Sequence, residues 1–244
     1  MTGGVTSAMH ALDLDGRALV LRRIDKEPWL THAAELIGRE AEVLDRLADT
    51  PVPAPRLIAH ASPRLLMTRV PGTLRLADPP LEALARTLVA IHRVDARPRT
   101  YQSWVRVTEP PEWGDHDLWR WALDAVAQPA PDYDGVFLHR DFHAGNVLFA
   151  GDEVGGVVDW VETSYGPSDL DVAHCCTNLA LRNGVEAVEA FRAEYVRAGG
   201  KLAGDLYWRL LDAVGFLGSP ARTGGEAALE AYVRSLRASP SRSW

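Results

Sequence analysis

The stretch Phe137–Phe149, FLHRDFHAGNVLF, sets His139, Asp141, His143 and Asn146 between two short apolar runs. A metal-ligand cluster, a catalytic loop and a polar turn between strands all suit that composition. The residues downstream narrow the choice. The turn AGDEVGG follows NVLF and leads into the apolar run of VVDW, residues 157–160, a strand–turn–strand pattern. If the two runs pair antiparallel across a turn near Asp152-Glu153, Asn146 falls roughly opposite Asp159. Asp141 then lies just upstream, on the loop that enters the first strand. Three oxygen-bearing side chains converge on one mouth, where a hard divalent cation such as magnesium would find ligands. Asp and Asn are also turn formers, which accounts for each residue singly but not for their joint spacing.

Upstream, ALVLRRI from Ala18 is β-rich, and DLDG before it reads as a hairpin turn with MHAL as the partner strand. Residues 33–49 place Leu36, Val43, Leu44 and Leu47 near one helical face, before TPVPAPRL halts the helix with its prolines. RLLMTRVPG offers a further strand ending at Pro71-Gly72, a plausible hinge. Beyond it helical patterns dominate: 79–94, about 116–127, 169–182, 185–198 and the C-terminal stretch. The reading is an α+β chain of two lobes, a small β-rich one with one main helix at 1–70 and a larger, mostly helical one at 71–244.

With 244 residues, 47% of them hydrophobic, the chain can bury the core of a globular enzyme. A formal net charge of −7 argues against a general nucleic-acid or anionic-membrane surface. No apolar run approaches the roughly 18 residues that span a bilayer, and the start MTGGVTSAMHAL lacks a basic segment followed by an apolar one. The adjacent Cys175 and Cys176 are read as reduced thiols, because neighbouring cysteines pair only with strain. A cytoplasmic protein is expected. Neither a dinucleotide GxGxxG nor a GxxxxGK phosphate loop is present.

HRDFHAGN resembles the catalytic loop of kinases, and VVDW the metal-binding aspartate segment that follows it. The nearer resemblance is to the aminoglycoside phosphotransferase and choline kinase-like family, with its H-x-D-x-x-x-x-N loop, an Asp-aromatic pair and the tail GPSDLDVA. It runs over most of the chain and is weakest from about 78 to 134 and after 200.

That resemblance implies a bilobal protein-kinase-like fold and transfer of the γ-phosphate of ATP, with Mg2+, to a hydroxyl of a small molecule. Asp141 would accept or orient the acceptor's proton, and Asn146 and Asp159 would hold magnesium. Arg22 would reach the phosphates and pair with Glu40. The backbone from Thr68 to Val70 would meet the adenine edge, while Thr6 and Ser7 would cover the phosphates. His139 and Asp171 would brace the loop. Arg22 stands where protein kinases use lysine, exchanging a point donor for a planar fork; Arg23 and Lys26 are fallbacks. The short segment before the first strand implies a trimmed nucleotide lid or a start further upstream.

Two other classes compete: a catalytically silent nucleotide-binding protein of the same fold, and a metal-dependent hydrolase using His139, Asp141 and His143. Neither His92 nor His174 has a neighbouring motif that would complete a site. Residues 103–126 gather Trp104, Trp113, Trp119 and Trp121 with Glu109, Glu112, Asp115 and Asp117. Aromatic faces beside carboxylates suit a cationic acceptor such as an aminoglycoside or amino alcohol, and ordinary core packing explains the rings equally well. Asp115 and Glu162 are the acceptor contacts this reading names. The pattern specifies neither the acceptor nor the oligomeric state.

Overall fold

The computed structural model describes residues 7–218 and 225–239. In chain order the elements are β1 (Ser7–Leu14), β2 (Arg17–Ile24), α1 (Ala33–Leu47), β3 (Leu57–Ala61), β4 (Arg64–Thr68), α2 (Leu81–His92), α3 (His116–Val126), β5 (Gly135–Leu138), β6 (Val147–Ala150), β7 (Glu153–Val157), β8 (Ser164–Pro167), α4 (Asp169–Asn183), α5 (Val185–Arg197), α6 (Leu206–Gly215) and α7 (Glu226–Ala238). They form a bilobal α+β fold. One unit runs to Leu74 and takes in Asn146–Thr163, and the other comprises Arg75–Gly145 and the chain from Ser164 on.

The first unit is built on an antiparallel sheet in the order β1-β2-β4-β3. Asp15 and Gly16 turn β1 into β2 with φ of 52° and 75°, the left-handed pair that matches the twist of a tight hairpin. Helix α1 packs on β3 and β4, and its Ile37, Ala41 and Leu44 are each at most 2% exposed. Ile37 takes the place in the stripe that the sequence reading gave to Leu36, which is half-buried. Glu40 shares that buried face, a charge among apolar neighbours that demands a partner.

The hairpin β6–β7 belongs to this unit, whereas the division at residue 70 ran 71–244 as one lobe. Its attachment is local and specific. Phe149 and Thr73 exchange both backbone hydrogen bonds, and the Val157 N–H donates to Pro53 O at 2.7 Å. Gly155 and Gly156 permit the approach: a Cβ at Gly155 would lie 2.4 Å from Pro71 O, and one at Gly156 2.4 Å from Val70 Cβ.

The second unit is helical around α4, which packs against α5, α6 and α7, while α2 packs on α5. Every residue of α4 from Asp169 to Thr177 is buried, so this helix lies in the core with no solvated face over that span. Cys175 and Cys176 are part of it, and burial pushes the Cys176 thiol up to about 12. Strands β5 and β8 pair antiparallel. Strand β8 is illegible in sequence because Gly166-Pro167 reads as a turn. Among the described residues no helix is long and apolar enough to cross a membrane.

Candidate active site

In the first unit, strand β2 carries Arg22 inward. Its side chain is 6% exposed, and Nη1 donates to both carboxylate oxygens of Glu40, at 3.0 and 2.9 Å. The same nitrogen lies 2.9 Å from Asp159 Oδ1. Burial opposes the charge on Arg22, but the carboxylates of Glu40 and Asp159 outweigh it and raise the guanidinium above its ordinary range. Burial also raises the Glu40 carboxyl, and Arg22 is the main force against that. Arg22 Nε donates to Ser7 Oγ at 3.1 Å. The Ser7 hydroxyl is thus a buried strut for Arg22 on β1, while Thr6 lies outside the described residues.

Asp159 follows β7 with φ of 66°, a left-handed conformation that redirects the chain immediately after the strand. Asn146 ends a short 3-10 turn before β6, and its carbonyl accepts from the Val158 N–H at 2.9 Å. The register shift between Leu148 and Phe149 therefore sets Asn146 beside Val158, one residue short of Asp159. Both side chains offer hard oxygen donors, and the Asp159 side chain remains 42% exposed, which fits an oxygen-preferring divalent cation. Thr68 N–H and Arg69 N–H donate to the carbonyls of Arg56 and Ala18, which takes those two donors away from an adenine edge. Glu162 is half-buried.

In the second unit, the loop carrying Asp141 is gripped from α4. The buried Asp171 carboxylate accepts from the backbone N–H of His139 at 2.8 Å and of Arg140 at 2.7 Å. Those two bonds hold Arg140 at φ of 73°, which a residue other than glycine rarely adopts unless its surroundings fix it. His92 contacts Asp171 through Nε2 at 3.2 Å and Tyr195 OH through Nδ1 at 2.7 Å. His139 is fully buried, and its Nδ1 accepts from the Asp141 N–H at 3.2 Å. The Arg140 guanidinium lies over the Trp104 ring, 4.1 Å from its centroid.

Besides His143, whose Nε2 lies 3.7 Å from Asp141 Oδ1, the side chains around Asp141 include two that the sequence did not single out. His174 Nε2 is 3.0 Å from Asp141 Oδ1, and His174 Nδ1 is 3.0 Å from Asp212 Oδ1. Burial opposes charge on His174, but the carboxylates of Asp212 and Asp141 prevail and lift it to about 10. Asp141 is correspondingly pulled well below the usual carboxylate range, against burial, by the His174 hydrogen bond and charge. His143 is lowered to about 4, first by burial.

Ligand atoms of Asp141, His143 and His174 lie within 4.8 Å of one another; His139 is not in this group. The fit to a transition metal is poor. His143 Nδ1 already accepts from the Gly145 N–H at 3.0 Å, which leaves the proton of a neutral ring on Nε2, and both His174 nitrogens already face carboxylates.

A family model described as "Phosphotransferase enzyme family" matches residues 2–213. The chain belongs to the phosphotransferase enzyme family. The fold of this phosphotransferase-family chain is similar to solved kinase-like structures. A thermostable mutant of aminoglycoside phosphotransferase APH(4)-Ia, in ternary complex with AMP-PNP and hygromycin B, superposes with a TM-score of 0.68 at 18% identity, covering 96% of this chain and 92% of that one. A choline/ethanolamine kinase family protein from Mesorhizobium loti gives 0.64 at 17% identity, covering 98% and 87%. Acyl-CoA dehydrogenase family member 10 from Mus musculus is 25% identical over 245 residues, 85% of this chain. The chain spans 22% of the length of that curated relative.

The tryptophan-rich segment of this phosphotransferase-family member is mostly structural. Asp115 caps α3, accepting from the Leu118 N–H at 3.1 Å, and pairs with Arg234 at 3.1 Å. Glu109 is ion-paired with Arg120. Trp119 is fully buried with Trp113 edge-on to it, and Trp121 lies under Arg237. Of the four rings, Trp104 is the one in contact with the Asp141 surroundings, through Arg140 and His174. His174 and Asp212 are the residues that sequence reasoning missed. The available signal was a polar residue interrupting an apolar helical run, in VAHCC and in LLDAV.

Proposed function

We propose that this chain transfers the γ-phosphate of ATP to a hydroxyl of a small-molecule acceptor, with Mg2+ as cofactor, in the cytoplasm. The observation that carries the reading is the pair of built charge clusters within a phosphotransferase-family sequence: Arg22 fixed between Glu40 and Asp159, and Asp141 presented on a loop pinned by Asp171.

In the reaction the bond from the γ-phosphorus to the ADP oxygen breaks and a bond to the acceptor oxygen forms. The acceptor's proton passes to Asp141 or, by way of it, to solvent. Catalysis of this kind is positioning plus neutralisation of charge on the transferring group. Arg22 supplies fixed positive charge toward the nucleotide phosphates, and Glu40 holds its direction. Asn146 and Asp159 would hold magnesium, which when bound neutralises phosphate charge. Asp141 orients the acceptor hydroxyl.

Support for a hydroxylated acceptor comes from the family; the charge argument for a cationic one loses Glu109 and Asp115, each already paired with an arginine. The test is a screen of hydroxylated amines, sugars and antibiotics for acceptor-dependent ADP release, with a no-acceptor control. Alongside it, ATP should raise thermal stability more with magnesium than with EDTA, as a ligand selective for the folded state does. ADP release that no acceptor stimulates, together with no magnesium-dependent shift at saturating ATP, would count against the proposal.

A further inference from the structure

His174 belongs to no part of the H-x-D-x-x-x-x-N pattern, yet it touches the residue that pattern exists to present. Its side chain is 6% exposed, walled by Trp104 at 5.4 Å and Phe216 at 5.3 Å between centroids. Ionised carboxylates accept hydrogen bonds and cannot donate them. Contacts of 3.0 Å from Nε2 to Asp141 and from Nδ1 to Asp212 are therefore both hydrogen bonds only if both ring nitrogens carry protons. Asn178 Nδ2 also lies 3.2 Å from Nε2, but it donates to the His174 carbonyl at 3.0 Å. A neutral Nε2 accepting from Asn178 would set its lone pair against Asp141 Oδ1, a repulsive contact. Asp212 is 2% exposed in its side chain, so its charge is buried and His174 is the counter-charge it touches.

We propose that His174 is a positioning residue, a buried imidazolium anchored on Asp212 that grips the Asp141 carboxylate and keeps it ionised and aimed. The proposal deepens the phosphotransfer reading and rests on it for the identity of the reaction. Its consequence is chemical. A carboxylate held this way is a weak base, so Asp141 orients the acceptor hydroxyl and takes the proton late, after the bond to phosphorus has largely formed. Among the described residues, the titratable groups facing the ring are Asp141 and His143 from the loop and Asp212 from α6, with Arg140 stacked on Trp104.

The first arm of the test uses side-chain nitrogen NMR on the nucleotide-free wild-type chain, with His174 assigned by loss of its signals in His174→Gln. Both His174 nitrogens should be protonated at pH 8, with the ring deprotonating near pH 10. In Asp212→Asn that deprotonation should fall by one pH unit or more. A singly protonated His174 in the wild type at pH 8 overturns the proposal, whether or not any acceptor has been found.

The second arm follows phosphotransfer by Asp212→Asn and His174→Gln. Each should lower kcat by about tenfold or more with KM for ATP unchanged, and each should move the acid limb of the rate profile upward toward an ordinary carboxylate. A folded variant with reduced stability but an unmoved acid limb overturns the positioning role. If the wild type transfers phosphate to nothing, the phosphotransfer reading fails and the NMR arm still decides whether His174 grips Asp141.

Discussion

Replacing Arg22 with methionine keeps most of the volume on β2 and removes the charge that Glu40 faces. Glu40 is 1% exposed in its side chain and Arg22 6%, so the substitution leaves a carboxylate buried without its partner. Breaking such a pair from one side costs roughly 3–5 kcal/mol. Protonation sets an independent ceiling, because Glu40 can neutralise itself instead of remaining charged. Carrying a carboxyl from its ordinary value of about 4.3 to pH 7 costs roughly 3.7 kcal/mol, at about 1.4 kcal/mol per unit, and at pH 5 the same step costs roughly 1 kcal/mol. Arg22→Met should therefore lose about 3–4 kcal/mol at pH 7 and much less at pH 5. Arg22→Met combined with Glu40→Gln should recover most of the loss, since no buried charge is then stranded. Asp159 also loses a partner, but with its side chain 42% exposed water replaces the contact. Urea unfolding followed by tryptophan fluorescence at both pH values measures the effect. A loss under about 1 kcal/mol at pH 7, or an equal loss at both pH values, would refute the claim that Glu40 depends on Arg22.

The two aspartates should separate in function. Asp141→Asn should leave magnesium-nucleotide affinity nearly intact and reduce turnover about 10²- to 10⁴-fold, whereas Asp159→Asn should weaken magnesium-nucleotide binding itself; calorimetry and turnover assays compare them. Because folding raises His174 from 6.5 to about 10, its stabilisation is complete below about pH 6.5 and is lost as pH rises through 10. Denaturant titrations should show wild-type stability declining across that window and His174→Gln staying flatter there. Gly72→Ala should destabilise by about 2 kcal/mol or more, since φ is 107° and the new Cβ would lie 2.6 Å from Phe149 O. Gly151→Ala, at φ of 66° with nothing within 4 Å, should cost only the left-handed backbone strain of about 1 kcal/mol, and thermal melts distinguish the two.

What the sequence determined by itself was whatever its own neighbours enforce. The β1–β2 hairpin follows from Asp15-Gly16 and the end of α1 from Pro51, Pro53 and Pro55; the β6–β7 hairpin was legible as a hairpin, but its turn is tighter than the AGDEVGG read from sequence, at Gly151-Asp152, and its second strand is Glu153–Val157, not VVDW. The loop from His139 to Asn146 is contiguous, so its resemblance to a phosphotransferase loop was readable along with Glu40, the partner of Arg22 on α1. Periodicity located α2 to α5 within about two residues because each buries a continuous apolar face.

Tertiary structure decided the rest. It assigned β6–β7 to the first unit, through close approaches that Gly72, Gly155 and Gly156 allow. It spent Asp115 on a helix cap and Glu109 on Arg120, where composition had offered them to a ligand. Above all it joined Asp141 to His174 and Asp212, residues separated along the chain by 33 and then 38 positions. No local period encodes such a contact, because it depends on how α4 and α6 pack. The partner of a buried charge is chosen by that packing, and the sequence shows only that a polar residue stands where an apolar one would otherwise serve.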